Sequence, residues 1–550
     1  KPALPLVRHR QVLAGARVEG VGVAGHQQPL QLLVAGQLVV GAAELAGQFG
    51  GTDCRLGAGI ADVIPAFREV LSNHGYRVPE TVKVSELIRE HAPRLLGKTD
   101  KYEGSFDSLD KLGKLARYET FQDAGNALRD AYGNSILAQL TVARLALDET
   151  RQGTAGNNKT KPERVAYLLD SLKHQEEVHF LRKIYGNNFY LIGILSSESH
   201  RILRLKLETG ATEPEVRVLS DRDRKEEIDH GQQLDKALKL ADFFIRNSPG
   251  SREDATRQVR RYCELIHGGV NVTPTTDEFG MYVAYSSGLA SACMSRQVGA
   301  AILKDDSVLA TGCNDVPKAG GGQYPNLLAI PVPLDHRCVM SDGLCHNDRE
   351  KSDIKEQIEK ILAAEGLPNA AALANKIKRE TRLADLIEFS RAVHAEMDAL
   401  MAVARHGGSS VQGATLYTTT YPCHNCARHI LASGLSRVLF IEPYEKSLAV
   451  KLHSDAIDHD GDPGARNPFK IPFLHFEGVA PRRYQELFQY PEGRKSNGRR
   501  LENDFRGAGK KIPQLMDDYR TLEASVVDFL ISEELIVVSR KDKASPPPAA

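Results

Sequence analysis

The chain has 550 residues, enough for two or three domains that each bury their own core. Lys plus Arg and Asp plus Glu both number 71, so the formal charge is zero and the basic excess of a duplex-DNA binder is absent. The 8 cysteines are too sparse for a disulfide framework and point to a reducing cytoplasm, while the lack of any clean run of about 18 apolar residues argues against a membrane span or a signal peptide.

Residues 1–44 are rich in Val, Leu, Ala, Gly and Gln and show neither a helical nor a strand period. They are set apart as an anomalous, poorly defined N-terminus, the plain alternative being an apolar strand that leads into a loop. The Gly-rich segment after them holds Gly50, Gly51, Thr52 and Asp53 and precedes an amphipathic helix over 60–74. A Gly-rich turn that opens a helix aims backbone N–H groups at phosphates, which makes these four residues candidates for nucleotide binding. The Lys-Ser/Thr pair of a Walker loop is missing, so the ammonium and the magnesium-binding hydroxyl of a phosphoryl-transfer site are not supplied.

Further along, Arg164 to Leu172 and Phe189 to Leu195 read as buried strands, with a helix from Gln175 to Ile184 between them. Strands that alternate with helices predict a parallel sheet covered on both faces. The charged run 221–229 reads as a solvated helix or as a lid over phosphates, and Asn247 to Ser251 as a linker.

From Asp277 the pattern changes. A helix with small residues is expected over 280–296, then a hairpin of strands 298–303 and 308–312, then a glycine-containing loop from Asn314 to Gly322. Residues 323–388 form an insertion with a helix over 353–365. Within it Cys338, Cys345, His336 and His346 are either ligands of a second, structural zinc or, for the cysteines, free buried thiols.

His394-Ala395-Glu396 then opens an apolar helix that stops at Gly407-Gly408. A strand over 414–420 leads to Pro422-Cys423-His424-Asn425-Cys426, which opens a second helix ending before Gly434, and a strand over 438–441 follows. Cys423 and Cys426, one turn apart at a helix N-terminus, are placed to bind a metal as thiolates. With His394 they make three ligands, and three ligands leave a fourth position for water, as in catalytic rather than structural zinc sites. Glu396 falls where it can work on that water. His-x-Glu followed by Pro-Cys-x-x-Cys is the zinc-deaminase signature. Zn2+ is therefore the expected cofactor, Glu396 the expected acid and base, Asn314 a candidate for orienting sugar or base, and Thr419 and Tyr421 candidates for lining the pocket.

Residues from about Asp277 to Phe488 resemble the deoxycytidylate deaminase branch of the cytidine deaminase superfamily. The likeness rests on Cys293 to Ala300, Asn314 to Pro317, the His394-Ala395-Glu396 triplet and Thr420 to Ala427. It implies a three-layer α/β/α domain with a mixed five-stranded sheet. Residues from Leu45 to about Asn247 resemble a P-loop nucleoside or nucleotide kinase, through Gly125 to Arg129, the Asp170 strand and Ala241 to Ile245. Together the two halves resemble the bacterial anti-phage dCTP deaminases. That resemblance implies hydrolytic deamination of dCTP, and of dCMP, to the uracil nucleotide. It also implies a nucleotide effector at the front half, in some members silencing by a partner RNA, and a homo-oligomer.

The expected organisation is an ill-defined stretch 1–44, a regulatory kinase-like domain 45–250, a zinc deaminase domain 251–490, and a basic connector with a flexible tail 491–550. A housekeeping dCMP deaminase that supplies dUMP is the alternative within the class. A polynucleotide or RNA-interacting module with structural zinc is the alternative outside it, disfavoured by the zero net charge and the absence of Trp.

Overall fold

The structure is a computed structural model and describes residues 37–46, 59–95, 114–151, 164–224, 229–231, 233–247, 252–269, 271–325, 335–340, 343–407, 409–444, 446–459, 467–490, 495–500, 511 and 516–537. Gly50, Gly51, Thr52 and Asp53, the candidate nucleotide-binding residues, lie outside them. Among the described residues no helix is long and apolar enough to cross a membrane.

Two sheets organise the chain. The first contains strands β1 (Gln37–Ala46), β2 (Val82–Lys83), β3 (Val165–Asp170), β4 (Phe189–Ser196) and β5 (Phe243–Arg246), all parallel and in the spatial order β5-β4-β1-β3-β2. The long strand β1 therefore occupies the centre of the sheet although its sequence carries no alternation. That is the pattern of a central parallel strand, whose two faces are both covered by helices. The expected strands at Asp170 and Phe189 and the helix between them, Gln175–Tyr185, are present.

The second sheet contains β6 (Gly299–Lys304), β7 (Ser307–Cys313), β8 (Thr415–Thr420), β9 (Arg437–Glu442), β10 (Ile457–His459) and β11 (Ile471–His475), in the order β10-β11-β9-β8-β6-β7. β6 runs antiparallel to β7 and β8, and the remaining pairs are parallel, so the sheet is mixed. It has six strands where five were expected. The extra one, β10, is a three-residue edge strand too short to announce itself by periodicity. The expected helix 280–296 is Thr276–Gly288 instead, begun by a capping box between Thr275 and Glu278. It ends where Gly288 lies against β6: a Cβ on Gly288 would come 2.8 Å from the Gly299 nitrogen.

The halves are joined by packing as well as by chain. Strand β12 (Gly478–Val479) adds antiparallel to β5 at the edge of the first sheet. The buried carboxylate of Glu278 accepts from Val479 N at 2.9 Å, from Thr275 N at 2.8 Å and from both terminal nitrogens of Arg261 at 2.8 and 2.6 Å. One apolar core runs from Leu191 and Phe244 of the first sheet through Met281 to Leu303, Tyr417 and Leu439 of the second. Within 491–550, expected as a basic connector and flexible tail with a last strand or helix over 525–538, lies the helix Met516–Ser532, whose Tyr519 and Leu530 are buried in that same core. Its apolar spacing, not its position in the sequence, decides its fate.

Candidate metal centre and its cavity

The opposite face of the second sheet carries a separate core and two helices, Ala395–His406 and His424–Ser433. Each puts its functional residue at the N-cap, where backbone N–H groups lack intrahelical partners. His394 precedes the first helix with extended dihedrals, and Cys423 caps the second, its sulfur accepting from Cys426 N at 3.4 Å. The approach to His394 is fixed by an isolated bridge, in which Val393 N donates to Asp315 O at 3.0 Å. The first helix lies hard against β7: a Cβ on Gly312 would meet the Ala399 nitrogen at 2.5 Å, and the Ala395 carbonyl closer still.

His394 Nδ1 lies 3.2 Å from Cys423 Sγ and 3.4 Å from Cys426 Sγ, and the three donor atoms all fall within 4.8 Å of one another. Among the described residues this is the one group of three such side chains. A hydrogen bond from the Cys426 thiol, with His394 on the other side, holds the Cys423 thiol down to about 4, so that it is a thiolate. The same sharing pushes the Cys426 thiol up. Burial works against a charged His394, but Cys423 and Glu396 outweigh it and raise the imidazole to about 9. Two buried cysteine sulfurs and a half-buried imidazole that converge within 4.8 Å of one another are a donor set that fits a zinc ion. The site is a zinc site.

Glu396 is buried, and its Oε2 lies 3.6 Å from Cys426 Sγ. Burial raises its carboxyl to about 7. A cavity of about 340 Å³ opens over the centre and is lined by His394, Glu396, Cys423, Asn314 and Tyr421, among others. That volume sits at the lower end of small-molecule sites.

The secondary candidates are placed unequally. Tyr421 lines the cavity and packs edge-on against Phe440. Asn314 lines it too, with its amide already spanning the backbone: Nδ2 donates to Arg296 O at 2.8 Å and Oδ1 accepts from Val298 N at 2.7 Å. Thr419 does not line the cavity. Side chains alternate along β8, so Thr420 lines it, while the Thr419 hydroxyl accepts from Gly299 N at 3.1 Å. Cys338, Cys345 and His346 border the same cavity without forming a metal group of three, and His336 packs against Tyr324. Sequence reasoning missed Arg296, Lys351, Arg391, Tyr444 and Lys446 on the cavity wall. They come from segments far apart in the chain, and no local spacing marks them.

A three-donor centre with a buried carboxylate beside it, on a mixed sheet layered with helices, is the arrangement of a catalytic rather than a structural zinc site. Residues 274–442 match the family described as the cytidine and deoxycytidylate deaminase zinc-binding region. The chain is 33% identical over 168 residues to the deoxycytidylate deaminase of Enterobacteria phage T2, covering 30% of this chain and 80% of the phage protein. It belongs to the cytidine and deoxycytidylate deaminase family. The dCMP deaminase of cyanophage S-TIM5, solved with dCMP and dUMP, is similar at 18% identity and a TM-score of 0.22, over 37% of this chain and 98% of that one. A UPF0200/UPF0201 protein of Archaeoglobus fulgidus is 26% identical over 182 residues, which are 33% of this chain and 46% of that protein.

Proposed function

We propose that the protein hydrolytically deaminates free deoxycytidine nucleotides, dCTP and also dCMP, to the deoxyuridine nucleotides. The observation that carries this reading is the buried Glu396 carboxyl beside the three-donor centre on the floor of a nucleotide-sized cavity. His394, Cys423 and Cys426 hold the zinc, which when bound supplies the Lewis acidity that brings a water near neutral pKa. Glu396 accepts the proton of the attacking water as its oxygen bonds to C4 of cytosine, and returns that proton at N3. It then takes the remaining hydroxyl proton and delivers it to the amino nitrogen as the C4–N bond breaks and ammonia leaves. Burial of Glu396, which raises its carboxyl toward neutrality, suits a group that gives and takes protons in turn. Tyr421 and Thr420 wall the base, and Asn314 holds the loop that borders it.

In this reading the deaminase unit spans 251–490 and is governed by a kinase-like unit that spans 45–250 and, against the expected boundary at residue 44, also takes in its central strand β1, Gln37–Ala46. β1 lies between β3 and β4: the chain goes from β1 to β2 beyond β3 on one side and later crosses from β3 to β4 on the other, and the crevice at the carboxyl ends of strands at such a reversal is where open α/β sheets bind ligands. A nucleotide effector is assigned there, and the chain works as a homo-oligomer in the cytoplasm. The physiological role is depletion of dCTP during phage infection, with a regulatory RNA as a partner.

The identity to the phage T2 deoxycytidylate deaminase favours a second reading, a housekeeping enzyme that supplies dUMP. Purified protein with zinc, offered dCTP, dCMP, deoxycytidine and CTP separately, tests the chemistry through loss of cytosine absorbance. Turnover of dCTP supports the first reading, turnover of dCMP alone the second, and turnover of none defeats both. Nucleotide pools of infected cells carrying wild type or Glu396→Ala test the role: dCTP falls only with wild type if the defence reading holds.

A further inference from the structure

The insertion between β7 and the histidine helix closes one wall of the cavity, and its polar groups are not used by the chemistry above. Lys351, on the helix His346–Ala364, is only 6% exposed. Its ammonium donates to Ala384 O at 2.8 Å. Lys446, from the segment after β9, donates to the same carbonyl at 2.9 Å and lies 3.7 Å from Asp385. Both lysines line the cavity, as do Arg296 and Arg391. Asp348 is the one carboxylate besides Glu396 among the described lining residues.

Two ammonium groups that meet on a single neutral oxygen repel each other, and a carbonyl compensates neither charge. Each ammonium has three N–H donors, so each keeps hydrogens to offer a ligand in the cavity. Among the described residues Asp348 and Asp385 act on Lys351 from a distance, and its ammonium is held by a neutral carbonyl, although a nearly buried charge ordinarily has a charged partner in contact. Burial first, and then the neighbouring Lys446, pull the Lys351 pKa down, and the nearby Asp348 and Asp385 do not make up the difference. The 384–386 segment that receives the lysines is itself pinned, since Asn347 Nδ2 donates to Leu386 O at 3.1 Å. The pair is thus built into the wall.

We infer that Lys351 and Lys446 form the subsite for the phosphate chain of the nucleotide, with the base at the zinc end of the cavity and the phosphates at the insertion. The inference rests on the deaminase reading above and adds to it what selects a nucleotide over a nucleoside. With Arg296 and Arg391 the wall offers four cations, a better match for a triphosphate than for a monophosphate.

The test compares the full-length, zinc-loaded wild type with Lys446→Ala, Lys351→Met and the double variant. KM for dCTP, dCMP and deoxycytidine is measured, with calorimetric binding of dUTP and deoxyuridine as a readout that needs no turnover. The expected result is a rise of about tenfold or more in KM for dCTP and in Kd for dUTP per lysine removed, the size of a lost charge-assisted hydrogen bond. The rise is smaller for dCMP, and deoxycytidine and deoxyuridine bind as they do to wild type. Equal losses for nucleoside and nucleotide, or an unchanged dUTP affinity, overturn the inference. Lys446 is exposed enough for its removal to leave the fold intact, so a misfolded Lys351→Met still leaves a decisive variant. If wild type deaminates nothing, the deaminase reading fails by itself, and the lysine pair is then judged by whether dUTP binds more tightly than deoxyuridine.

Discussion

Gly312→Ala perturbs the geometry of the metal centre without touching a ligand. The added Cβ would sit 2.5 Å from the Ala399 nitrogen and nearer still to the Ala395 carbonyl, where ordinary contact needs 3.4 Å or more. Neither neighbour is a flexible side chain. The helix Ala395–His406 and β7 must therefore part by about 1 Å, and overpacking of that kind costs about 1–3 kcal/mol. The displacement moves His394 and Glu396 away from Cys423 and Cys426, because the two pairs belong to different helices. A shift of about 1 Å in a catalytic group is worth about 10²-fold in rate. Denaturant unfolding reads the stability, metal analysis the zinc content, and ammonia release with a deoxycytidine nucleotide the activity. Gly320, at a positive φ that Gly312 does not share but with nothing within 4 Å of an added Cβ, is the control for the clash: Gly320→Ala carries backbone strain in a loop without pushing on the helix, and is expected to leave activity intact. Wild-type activity and stability in Gly312→Ala would refute the close approach of strand and helix.

Three further outcomes follow from the same structure. Glu278→Ala leaves Arg261 without its carboxylate and Val479 N without its acceptor at the joint between the two sheets, so unfolding should lose about 3–5 kcal/mol by denaturant titration. Thr419→Val strips the acceptor from the buried Gly299 N–H and should cost about 1–3 kcal/mol with KM unchanged; a changed KM at unchanged stability would instead put Thr419 in the pocket. Cys423→Ser removes the thiolate of the centre and should abolish stoichiometric zinc by metal analysis together with activity, as a strong chelator should for wild type.

The parts of the molecule legible in the sequence are those whose cause is local. His394 and Cys423 stand out because an N-cap and a following helix are written within a few residues of each, with a strand just before Cys423. The strand ending at Asp170 and the strand from Phe189 stand out as unbroken apolar runs between charged segments. What could not be read depends on contacts distant in sequence. β1 was hidden because a strand paired on both sides in a parallel sheet shows no alternation. β12 gains its identity only by pairing with β5, more than two hundred residues earlier. The choice between Thr419 and Thr420 turns on the phase of a strand, and a shift of one residue exchanges its faces. The lysine pair is invisible for the same reason: Lys351, Ala384 and Lys446 meet only when the insertion folds back over the site.

The most direct test of the central claim is ammonia release by Glu396→Gln, measured beside its zinc content. Gln preserves the volume of the buried side chain but cannot carry the proton, so the expected result is full zinc occupancy with activity down by about 10²–10⁴-fold. Zinc retained together with near wild-type ammonia release would contradict the account, because the carboxylate beside the metal would then have no part in the reaction.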